Sequence, residues 1–404
     1  MAEHTHTTER RKQQRPIPTS LKALAVIIIL GLGYVAGTFN AQIIGVIAPI
    51  VGIKTSAATL DVSSLQKTYQ ELKANYDGKV DDQSLIEGAN KGLVAALGDD
   101  YTVYMNKAET EEFENELSGT IGGGIGVELG LRNGTITALR ILKDNPAEKA
   151  GIMAGDIIVK VNDQEVTAEQ TVSDTAKKVR GDVGTTVKLT VLRDTELKEF
   201  TITRATVTNP SVYSSVTDGI GTMTITRFDD ETGVLARQAA QSFKAQGVKS
   251  VILDLRGNGG GYVTAAQDVL SLWLNDKVVV TEKTNGVVVD ELKSGTDPIL
   301  EGVPTAVLVN GSSASASEIT AGALQDYGAA KLVGEKTFGK GSVQKLLALP
   351  EGGQLKVTIA RWFTPKGNNI SKQGIKVDTE ATLTADDINA GRDPQLDAAK
   401  ALLQ

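Results

Sequence analysis

The chain has 404 residues and a formal net charge of −7, with 42 lysines and arginines against 49 aspartates and glutamates. With this acidic balance, the chain lacks the excess of basic residues that is typical of proteins that bind nucleic acid. The chain has no cysteine, and its two histidines are His4 and His6. Beyond the N-terminal tail, these counts exclude a Cys-His pair, a Ser-His-Asp triad and a histidine-ligated zinc site. Nucleophilic chemistry there would therefore use serine, with lysine as the candidate base.

The N-terminus is a basic tail followed by a long uncharged segment. Residues 1–22 carry five basic side chains against two acidic ones, and residues 23–53 contain no charged side chain. A transmembrane helix needs roughly 20 apolar residues, and basic residues flank its cytoplasmic end. We therefore expect one uncleaved transmembrane anchor over 23–53, with residues 1–22 in the cytoplasm. A buried core helix and cleavage near residues 56–58 are the alternatives.

Hydrophobic periodicity predicts the first part of the remaining chain. Leu65, Leu72 and Tyr76 recur at helical spacing, so residues 60–117 are predicted to be helical and amphipathic. Residues 118–205 change to glycine-rich turns and short apolar runs, which predicts a small β-rich domain.

The second half of the chain has a different pattern. Residues 206–377 alternate short apolar strands with helical segments. This alternation predicts a mostly parallel sheet covered by helices. Residues 378–404 have the pattern of a polar helical tail.

A run of glycines opens the β-rich domain. Gly122-Gly123-Gly124-Ile125-Gly126 is typical of a structural turn, but its successive backbone N–H groups could also form a nest for a carboxylate. Such nests capture the C-terminus of a peptide that adds to a strand edge. The glycines alone do not decide between the two interpretations.

Ser315 and Lys340 are the candidate pair for nucleophilic chemistry. Ser315 precedes a predicted helix, where a serine is often only an N-cap, although the helix start would also favour a nucleophile. Lys340 would ordinarily be a solvated cation. To act as a base near neutral pH, its pKa must fall by roughly 3 units through burial. Flanking Gly339 and Gly341 permit such a buried approach, and Gln344 could bind the amine without adding charge.

Two glycine-rich segments resemble nucleotide loops without completing the motif. The loop at 254–261 lacks the third glycine of GxGxxG, because residue 262 is tyrosine. The segment 334–340 lacks the serine or threonine that would bind magnesium, because residue 341 is glycine. The loop at 254–261 is instead interpreted as a tight turn or as a loop whose N–H groups stabilise an oxyanion.

Together these segments resemble the carboxyl-terminal processing proteases, also called tail-specific proteases. The resemblance extends from about Leu65 to Ala399 and is most specific at 254–261, 313–326 and 334–344. It implies an α/β fold of the α+β multidomain type. The implied order is a transmembrane helix, a helical N-terminal region, a PDZ domain and a mostly parallel-sheet protease core of the ClpP/crotonase-like type.

The resemblance also implies a role for individual residues. Ser315 matches the family's nucleophile, Lys340 its general base and Gln344 the residue that assists the base. Gly261 and Ala316 match the positions whose N–H groups form the oxyanion hole. No metal and no cofactor are implied.

The implied partners follow from the PDZ domain and the helices. Gly123, Gly124, Ile125 and Gly126 would bind the terminal carboxylate of protein or peptide substrates with exposed apolar C-termini. The helices of residues 60–117 would build a homodimer. One helix would hold the protein in the cell membrane, with the catalytic part on the periplasmic or extracellular side.

Two other functions stay open from the sequence. The PDZ domain could recruit tails without catalysis, with Ser315 acting only as a cap. The helices of 60–117 could make the chain a structural scaffold. Whether the PDZ domain would activate the protease or block its site is also open.

Overall fold

The computed structural model describes residues 60–132, 134–167 and 170–404, together with Ile28. The predicted basic tail and transmembrane segment lie, apart from Ile28, outside these residues. Within the described ranges, no helix is long and apolar enough to cross a bilayer.

The described chain separates into two units, one that ends at Asp82 and one that runs from Gln83 to Gln404. The first unit contains helix α1 (Ser63–Asn75), and helix α2 (Asp82–Ala95) opens the second. Neither helix buries a residue, although both carry apolar side chains at helical spacing. Their uncovered side chains include Leu65, Leu72, Leu85, Ile86 and Leu93.

A short strand interrupts the region that the sequence predicts to be helical. Strand β1 (Val103–Met105) pairs antiparallel with residues 354–356, and helix α3 (Lys107–Ser118) follows it. The partner of β1 lies about 250 residues along the chain, so local periodicity carries no signal of this pairing. Helix α3 begins at a capping box made by Asn106 and Glu109.

The small β-rich domain forms between α3 and residue 208. Its main antiparallel sheet has the strand order β3-β4-β5-β7-β8, with β6 paired to β5, while β2 and β9 pair separately. The elements are β2 (Thr120–Gly124), β3 (Val127–Arg132), β4 (Thr135–Ile141), α4 (Pro146–Ala150), β5 (Ile157–Val161), β6 (Gln164–Glu165), α5 (Val172–Val179), β7 (Thr186–Arg193), β8 (Glu196–Thr203) and β9 (Ala205–Thr208).

This domain has its own apolar core and one buried ion pair. Ile158, Val187 and Leu189 are buried in that core. Asp156 is 1% exposed and accepts hydrogen bonds of 2.7 Å from Arg193. Burial alone would raise the pKa of Asp156, but the hydrogen bonds from Arg193 and from the Met153 N–H hold it below its ordinary value.

The larger domain is built on a six-stranded sheet with the order β10-β11-β12-β15-β16-β19. Strand β10 is antiparallel to β11, and the other four pairings are parallel. Its elements are β10 (Val212–Thr217), β11 (Ile220–Ile225), α6 (Thr232–Ala245), β12 (Ser250–Asp254), α7 (Val263–Leu270), β15 (Thr305–Val309), α8 (Ala316–Asp326), β16 (Lys331–Gly334) and β19 (Thr379–Glu380). All five residues of β15 are buried, as expected of a central parallel strand covered on both faces.

The prediction of a mostly parallel core is incomplete, because the core also contains a second sheet. Strands β1, β13 (Val278–Thr284), β14 (Val287–Lys293), β17 (Ser342–Ala348) and β18 (Gln354–Phe363) form a sheet in which all pairings are antiparallel. Short connections enforce this direction for β13–β14 and for β17–β18, because a hairpin can join only antiparallel strands. In the hairpin between β13 and β14, Asn285 and Gly286 both have positive φ, as a tight two-residue turn requires. The sheets of the core are therefore mixed.

The C-terminal segment is part of this domain rather than only a polar helical tail. Strand β19 pairs with β16, and α9 (Ala385–Asn389) and α10 (Pro394–Leu402) follow it. Ala399 of α10 is fully buried in a cluster with Ile252, Leu308 and Val333. The sequence prediction missed this role because its few apolar residues, among them Leu396 and Leu403, stand in a segment that is otherwise polar.

Candidate active site

Ser315 lies in the turn between strand β15 and helix α8. Its φ of 55° and ψ of −115° fall in a region that non-glycine residues rarely adopt. Such a conformation costs on the order of 1–3 kcal/mol and is found mainly at functional sites. Ser315 is half-buried and lines a cavity of about 590 Å³. The backbone of an ordinary N-cap is typically extended, so Ser315 departs from that geometry although it forms a capping box with Glu318.

Lys340 lines the same cavity from the loop between β16 and β17. Its Nζ lies 5.4 Å from the centroid of the Tyr101 ring. Burial lowers the pKa of the Lys340 ammonium below its ordinary value, the positive charge of Lys356 lowers it further, and the carboxylate of Glu318 opposes both. The net direction is the one that a lysine base requires.

The buried carboxylate of Glu318 joins the two segments that carry Ser315 and Lys340. Glu318 is fully buried in α8. Its Oε2 accepts the N–H of Ser315 and the N–H of Lys340, both at 2.9 Å. Its Oε1 accepts the Thr337 hydroxyl at 2.6 Å and the Gly339 N–H at 2.7 Å. One side chain therefore fixes both loops by four hydrogen bonds, which are strong because the acceptor is a carboxylate.

The side chains of the candidate dyad and of Gln344 are not hydrogen-bonded to each other. In the described structure no hydrogen bond joins Ser315 Oγ to Lys340 Nζ. The Gln344 amide donates instead to Ser342 Oγ at 2.9 Å and to Thr358 Oγ1 at 3.3 Å. All three predicted residues line one cavity, and catalytic hydrogen bonds commonly tighten only when substrate is bound.

The glycine loop after β12 lies against Ser315. Gly260 has a φ of 102°, and a Cβ built on it would lie 2.8 Å from Ser315 Cβ. Gly261 has a φ of 144°, and a Cβ there would lie 2.0 Å from the Phe228 carbonyl oxygen. Both positions therefore require glycine.

The N–H groups of Gly261 and Ala316, which were predicted to form an oxyanion hole, are free for such a role. Within the described chain neither N–H donates to a protein acceptor. Gly261 and Ser315 line the same cavity, and Ala316 directly follows Ser315 at the start of α8. Unpaired N–H groups next to a nucleophile can stabilise negative charge on a substrate oxygen.

Asn258 holds the glycine loop in place. Its Nδ2 donates to the Ile225 carbonyl at 2.7 Å, and its Oδ1 accepts the Gly260 N–H at 2.9 Å. Its own carbonyl accepts the Ala314 N–H at 3.0 Å and the Ser317 hydroxyl at 2.9 Å. The loop is thus fixed both to the sheet and to the turn that carries Ser315.

The remaining walls of the cavity are mostly apolar. Helix α3 contributes two of them, and α7, α8, β17 and β18 contribute the others. These side chains are Phe113, Leu117, Val263, Ile319, Val343 and Trp362. Within the described residues no group of three His, Cys, Asp or Glu side chains is placed to hold a metal ion. The cavity can therefore seat an apolar segment of a substrate against a serine.

A second groove, of about 440 Å³, lies in the small β-rich domain. Gly124, Ile125 and Gly126 line it, and the N–H groups of Ile125 and Gly126 donate to no acceptor in the described chain. Gly123 does not line the groove. Its carbonyl accepts the Gly181 N–H at 3.0 Å, and a Cβ there would lie 2.0 Å from the Gly181 oxygen.

The walls of this groove suit an apolar tail with a terminal carboxylate. Strand β3 is an edge strand, and helix α5 faces it across the groove. Arg140 and Arg180 supply positive charge, and Arg140 is already paired with Glu128 at 2.8 Å. The apolar lining consists of Val127, Leu129, Leu142, Val172, Ala176, Val179 and Val207.

Sequence reasoning missed Glu318, Asn258 and Lys356. Glu318 stands three residues after Ser315, so the sequence already offered a capping-box signal at this helix. That signal does not reveal the two N–H groups that Glu318 accepts from the loop of Lys340. Asn258 makes one local bond, to the Gly260 N–H, but its contacts with Ile225, Ala314 and Ser317 join distant segments and leave no local signal. Lys356 likewise lies far along the chain from Lys340.

Comparison with family models agrees with this division of the chain. Residues 219–381 match the model "Peptidase family S41", and residues 123–203 match "PDZ domain". Residues 51–110 match "Activating protease CtpB N-terminal domain".

Two curated proteins are also similar to this chain. The chain is 36% identical over 362 residues to the carboxy-terminal processing protease CtpA of Bacillus subtilis (strain 168), covering 87% of this chain and 75% of that protein. It is 36% identical over 358 residues to a probable CtpA-like serine protease of Staphylococcus haemolyticus (strain JCSC1435), covering 88% and 72%.

Two solved structures share the fold. The photosystem II D1 C-terminal processing protease aligns with a TM-score of 0.51 and 26% identity, over 85% of this chain and 92% of that one. A putative S41 protease from Bacteroides fragilis NCTC 9343 aligns with a TM-score of 0.57 over 87% and 96%, and at 17% identity it supports the fold alone.

The charge of Lys356 provides a test of the Lys340 assignment. The rate at which a fluorophosphonate labels Ser315 should rise with pH through the folded pKa of Lys340, because only the neutral amine accepts a proton. Lys356→Ala removes a positive charge that lowers this pKa, so the midpoint of the labelling profile should move to higher pH. Lys366→Ala, at an exposed lysine beside Asp326, should leave the midpoint unchanged. A midpoint in Lys356→Ala at or below that of the wild type contradicts the assignment.

Proposed function

This chain belongs to peptidase family S41 and is a carboxy-terminal processing serine protease with a PDZ domain. On that premise, we propose that it cleaves peptide bonds by a Ser315–Lys340 dyad. The observation that carries the proposal is the strained Ser315 in one cavity with a lysine whose pKa burial lowers. Both are fixed by the same buried carboxylate, so their segments keep a constant relation.

The proposed reaction proceeds through an acyl-enzyme. Neutral Lys340 accepts the hydroxyl proton as Ser315 Oγ attacks the substrate carbonyl carbon. The resulting oxyanion accepts hydrogen bonds from the N–H groups of Gly261 and Ala316. The C–N bond then breaks, the amine leaves with the proton from Lys340, and an ester remains on Ser315. Water, deprotonated by the same lysine, hydrolyses this ester and regenerates the hydroxyl.

Gln344 has a smaller part in this proposal. Its amide is held by Ser342 and Thr358 rather than by the lysine. In the proposed active arrangement, the Gln344 side chain turns within the shared cavity so that its oxygen accepts a hydrogen bond from the Lys340 amine. As an amide it would orient the amine without adding a negative charge that raises the pKa of the lysine.

The groove between β3 and α5 is proposed to read the C-terminal tail of a substrate. An extended tail would add to the free edge of β3, as in other β-strand additions. Its terminal carboxylate would accept the unpaired N–H groups of Ile125 and Gly126, and its last side chain would enter the apolar lining. Substrates are therefore proteins or peptides that expose apolar C-termini.

The uncharged segment 23–53 is proposed to anchor the protein in the cell membrane with residues 1–22 in the cytoplasm. The catalytic part would then lie on the periplasmic or extracellular side. The uncovered apolar side chains of α1 and α2 support a further proposal, that the chain forms a homodimer through this region.

Removing either member of the dyad should abolish cleavage. Ser315→Ala and Lys340→Ala should each lower kcat/KM for an unstructured protein such as casein by about 10³-fold or more, with unchanged thermal unfolding. Lys340→Arg should also fail, because a guanidinium stays protonated. Ser312→Ala and Lys336→Arg, at exposed positions of the same two segments, serve as controls. Normal cleavage by Lys340→Ala would rule out the dyad.

Blocking the substrate's terminal charge should weaken recognition. A free carboxylate gains charge-assisted hydrogen bonds worth about 1.5–3 kcal/mol each. Two peptides that differ only in a free or amidated C-terminal alanine should therefore differ about tenfold or more in KM. Replacing the terminal alanine with aspartate or lysine should also raise KM, because the added charge would be desolvated without a partner. Equal rates for the acid and the amide would show that the groove does not read the tail.

Membrane extraction tests the proposed anchor. The full-length chain should remain in the membrane pellet after alkaline carbonate treatment, whereas a chain that begins at residue 54 should be released. Protease added outside the cell, after permeabilising any outer membrane, should digest the part beyond Lys54. Recovery of the full-length chain in the soluble fraction would contradict this topology.

A further inference from the structure

Lys356 is a cation in the wall of the Ser315 cavity that has no anionic partner. It lies in β18, is half-buried and lines the same cavity as Ser315 and Lys340. Within the described residues its ammonium forms no ion pair, and it lies over the ring of Phe113, whose centroid is 5.0 Å from Nζ. Lysines are rarely buried unless they are paired. A carboxylate bound in the cavity would supply the missing partner.

The strand register places Lys356 on the side of the sheet that faces the cavity. In the pairing of β17 with β18, Lys356 stands opposite Leu346. Two residues further along β18, Thr358 stands opposite Gln344 and accepts a hydrogen bond from its amide. Side chains two residues apart project from the same face of a strand, so these four share one face. Lys356 therefore stands about 7 Å along the strand from the Gln344–Thr358 contact, which is the span of two residues of an extended peptide.

The position of Lys356 is fixed by its neighbours. The strand is paired on both edges at this point, because Lys356 also stands opposite Val103 of β1. Gln354, two residues earlier, donates to Glu114 of α3 at 2.6 Å. This bond holds α3, which carries Phe113, against the start of β18. A cation that is held in place before a ligand arrives loses little conformational entropy on binding it.

The other charges around the cavity leave Lys356 as its available half-buried cation. Arg227 lines the cavity but is already in an ion pair of 2.8 Å. Lys345 and Glu116, which carry opposite charges, border the cavity with exposed side chains. The charge of Lys356 reaches the reacting pair, since it lowers the pKa of Lys340. The cavity therefore favours a substrate that brings a negative charge to Lys356.

We propose that Lys356 is a specificity-determining residue that binds the carboxylate of an aspartate or glutamate side chain in the substrate, within a few residues of the cleaved bond. The inference rests on the proposed cleavage at Ser315. The apolar walls of the cavity would take the neighbouring substrate side chains, so the preferred segment is apolar with one acidic residue. This recognition is separate from that of the terminal carboxylate, which is proposed for the groove between β3 and α5.

The test measures kcat/KM for peptides that share one apolar free-acid tail and one cleavage site, located by mass spectrometry. Each residue near the cleaved bond is replaced in turn by asparagine or by aspartate. At one position the wild type should cleave the aspartate peptide with a kcat/KM at least about fivefold higher than that of the asparagine peptide, the gain of a well-formed charge pair. In Lys356→Met, which keeps an unbranched stem beside Phe113, the ratio should fall to about one.

Each ratio compares two peptides on the same variant. The protonation state of Lys340 in the free enzyme, to which kcat/KM responds, therefore cancels. Lys356→Arg keeps the cation and should retain the preference for aspartate. Lys356→Glu should reverse it, so that a peptide with lysine at that position is cleaved with a higher kcat/KM than the asparagine peptide. Lys345→Gln, which removes an exposed charge from the neighbouring strand, should keep the wild-type ratio and is the matched control.

Three outcomes would overturn the proposal. The first is an aspartate preference that survives in Lys356→Met, and the second is one that is lost equally in Lys345→Gln. The third is an equal kcat/KM for aspartate and asparagine at every position. If Lys356→Met in that case weakened cleavage of free-acid peptides but not of amidated ones, the lysine would bind the terminal carboxylate instead of a side chain. A wild type that cleaves none of the peptides would contradict the proposed function on which the inference rests.

Discussion

The site depends on one buried carboxylate, that of Glu318. A buried acceptor of this kind is stable only when its oxygens are fully hydrogen-bonded. Here the partners are supplied by Ser315 on its own helix and by Thr337, Gly339 and Lys340 on a separate loop. Because all four donors converge on one side chain, the segments of the nucleophile and of the base cannot move apart without leaving that side chain unsatisfied.

The same constraint explains how a lysine can be buried beside a carboxylate and still have a lowered pKa. Glu318 receives N–H and O–H donors from the loops and forms no ion pair with the Lys340 ammonium. Its attraction therefore only partly offsets the burial and the charge of Lys356. Tyr101 and the apolar cavity walls lie beside the amine and contribute to its burial. Glu318 thus fixes the position of the Lys340 segment, while burial and Lys356 outweigh its effect on the pKa of Lys340.

Much of this site was predictable from composition and local pattern. Without cysteine, and with both histidines near the N-terminus, serine and lysine were the residue types that remained, and the resemblance to the carboxyl-terminal processing proteases pointed to Ser315 and Lys340. Their cavity, the unpaired N–H groups of Gly261 and Ala316, and the groove at Gly124–Gly126 fit the roles that the sequence suggested.

What the sequence did not predict depends on long-range contacts. Strand β1 and strand β13 pair with β18 across long stretches of chain, and α10 packs on the sheet through Leu396, Ala399 and Leu403 in a segment that otherwise has a polar pattern. Gly123 was predicted to bind a terminal carboxylate together with Gly124, Ile125 and Gly126, but it packs against the backbone of Gly181 instead. The contacts of Arg227 were equally hidden, because its guanidinium donates to the backbone carbonyls of Ser118 and Asn209, which lie far apart in the chain.

The central claim is that Glu318 organises the reactive pair, and the most direct measurement is the labelling rate of Ser315 by a fluorophosphonate in Glu318→Gln. The amide keeps the shape of the side chain but replaces one acceptor oxygen by a donor, which opposes two of the four bonds. Glu301→Gln, at an exposed glutamate, is the matched control. The account predicts a rate about tenfold or more below that of the wild type and of the control, since a buried donor is left unsatisfied and the loops separate. A rate equal to that of the control would contradict it.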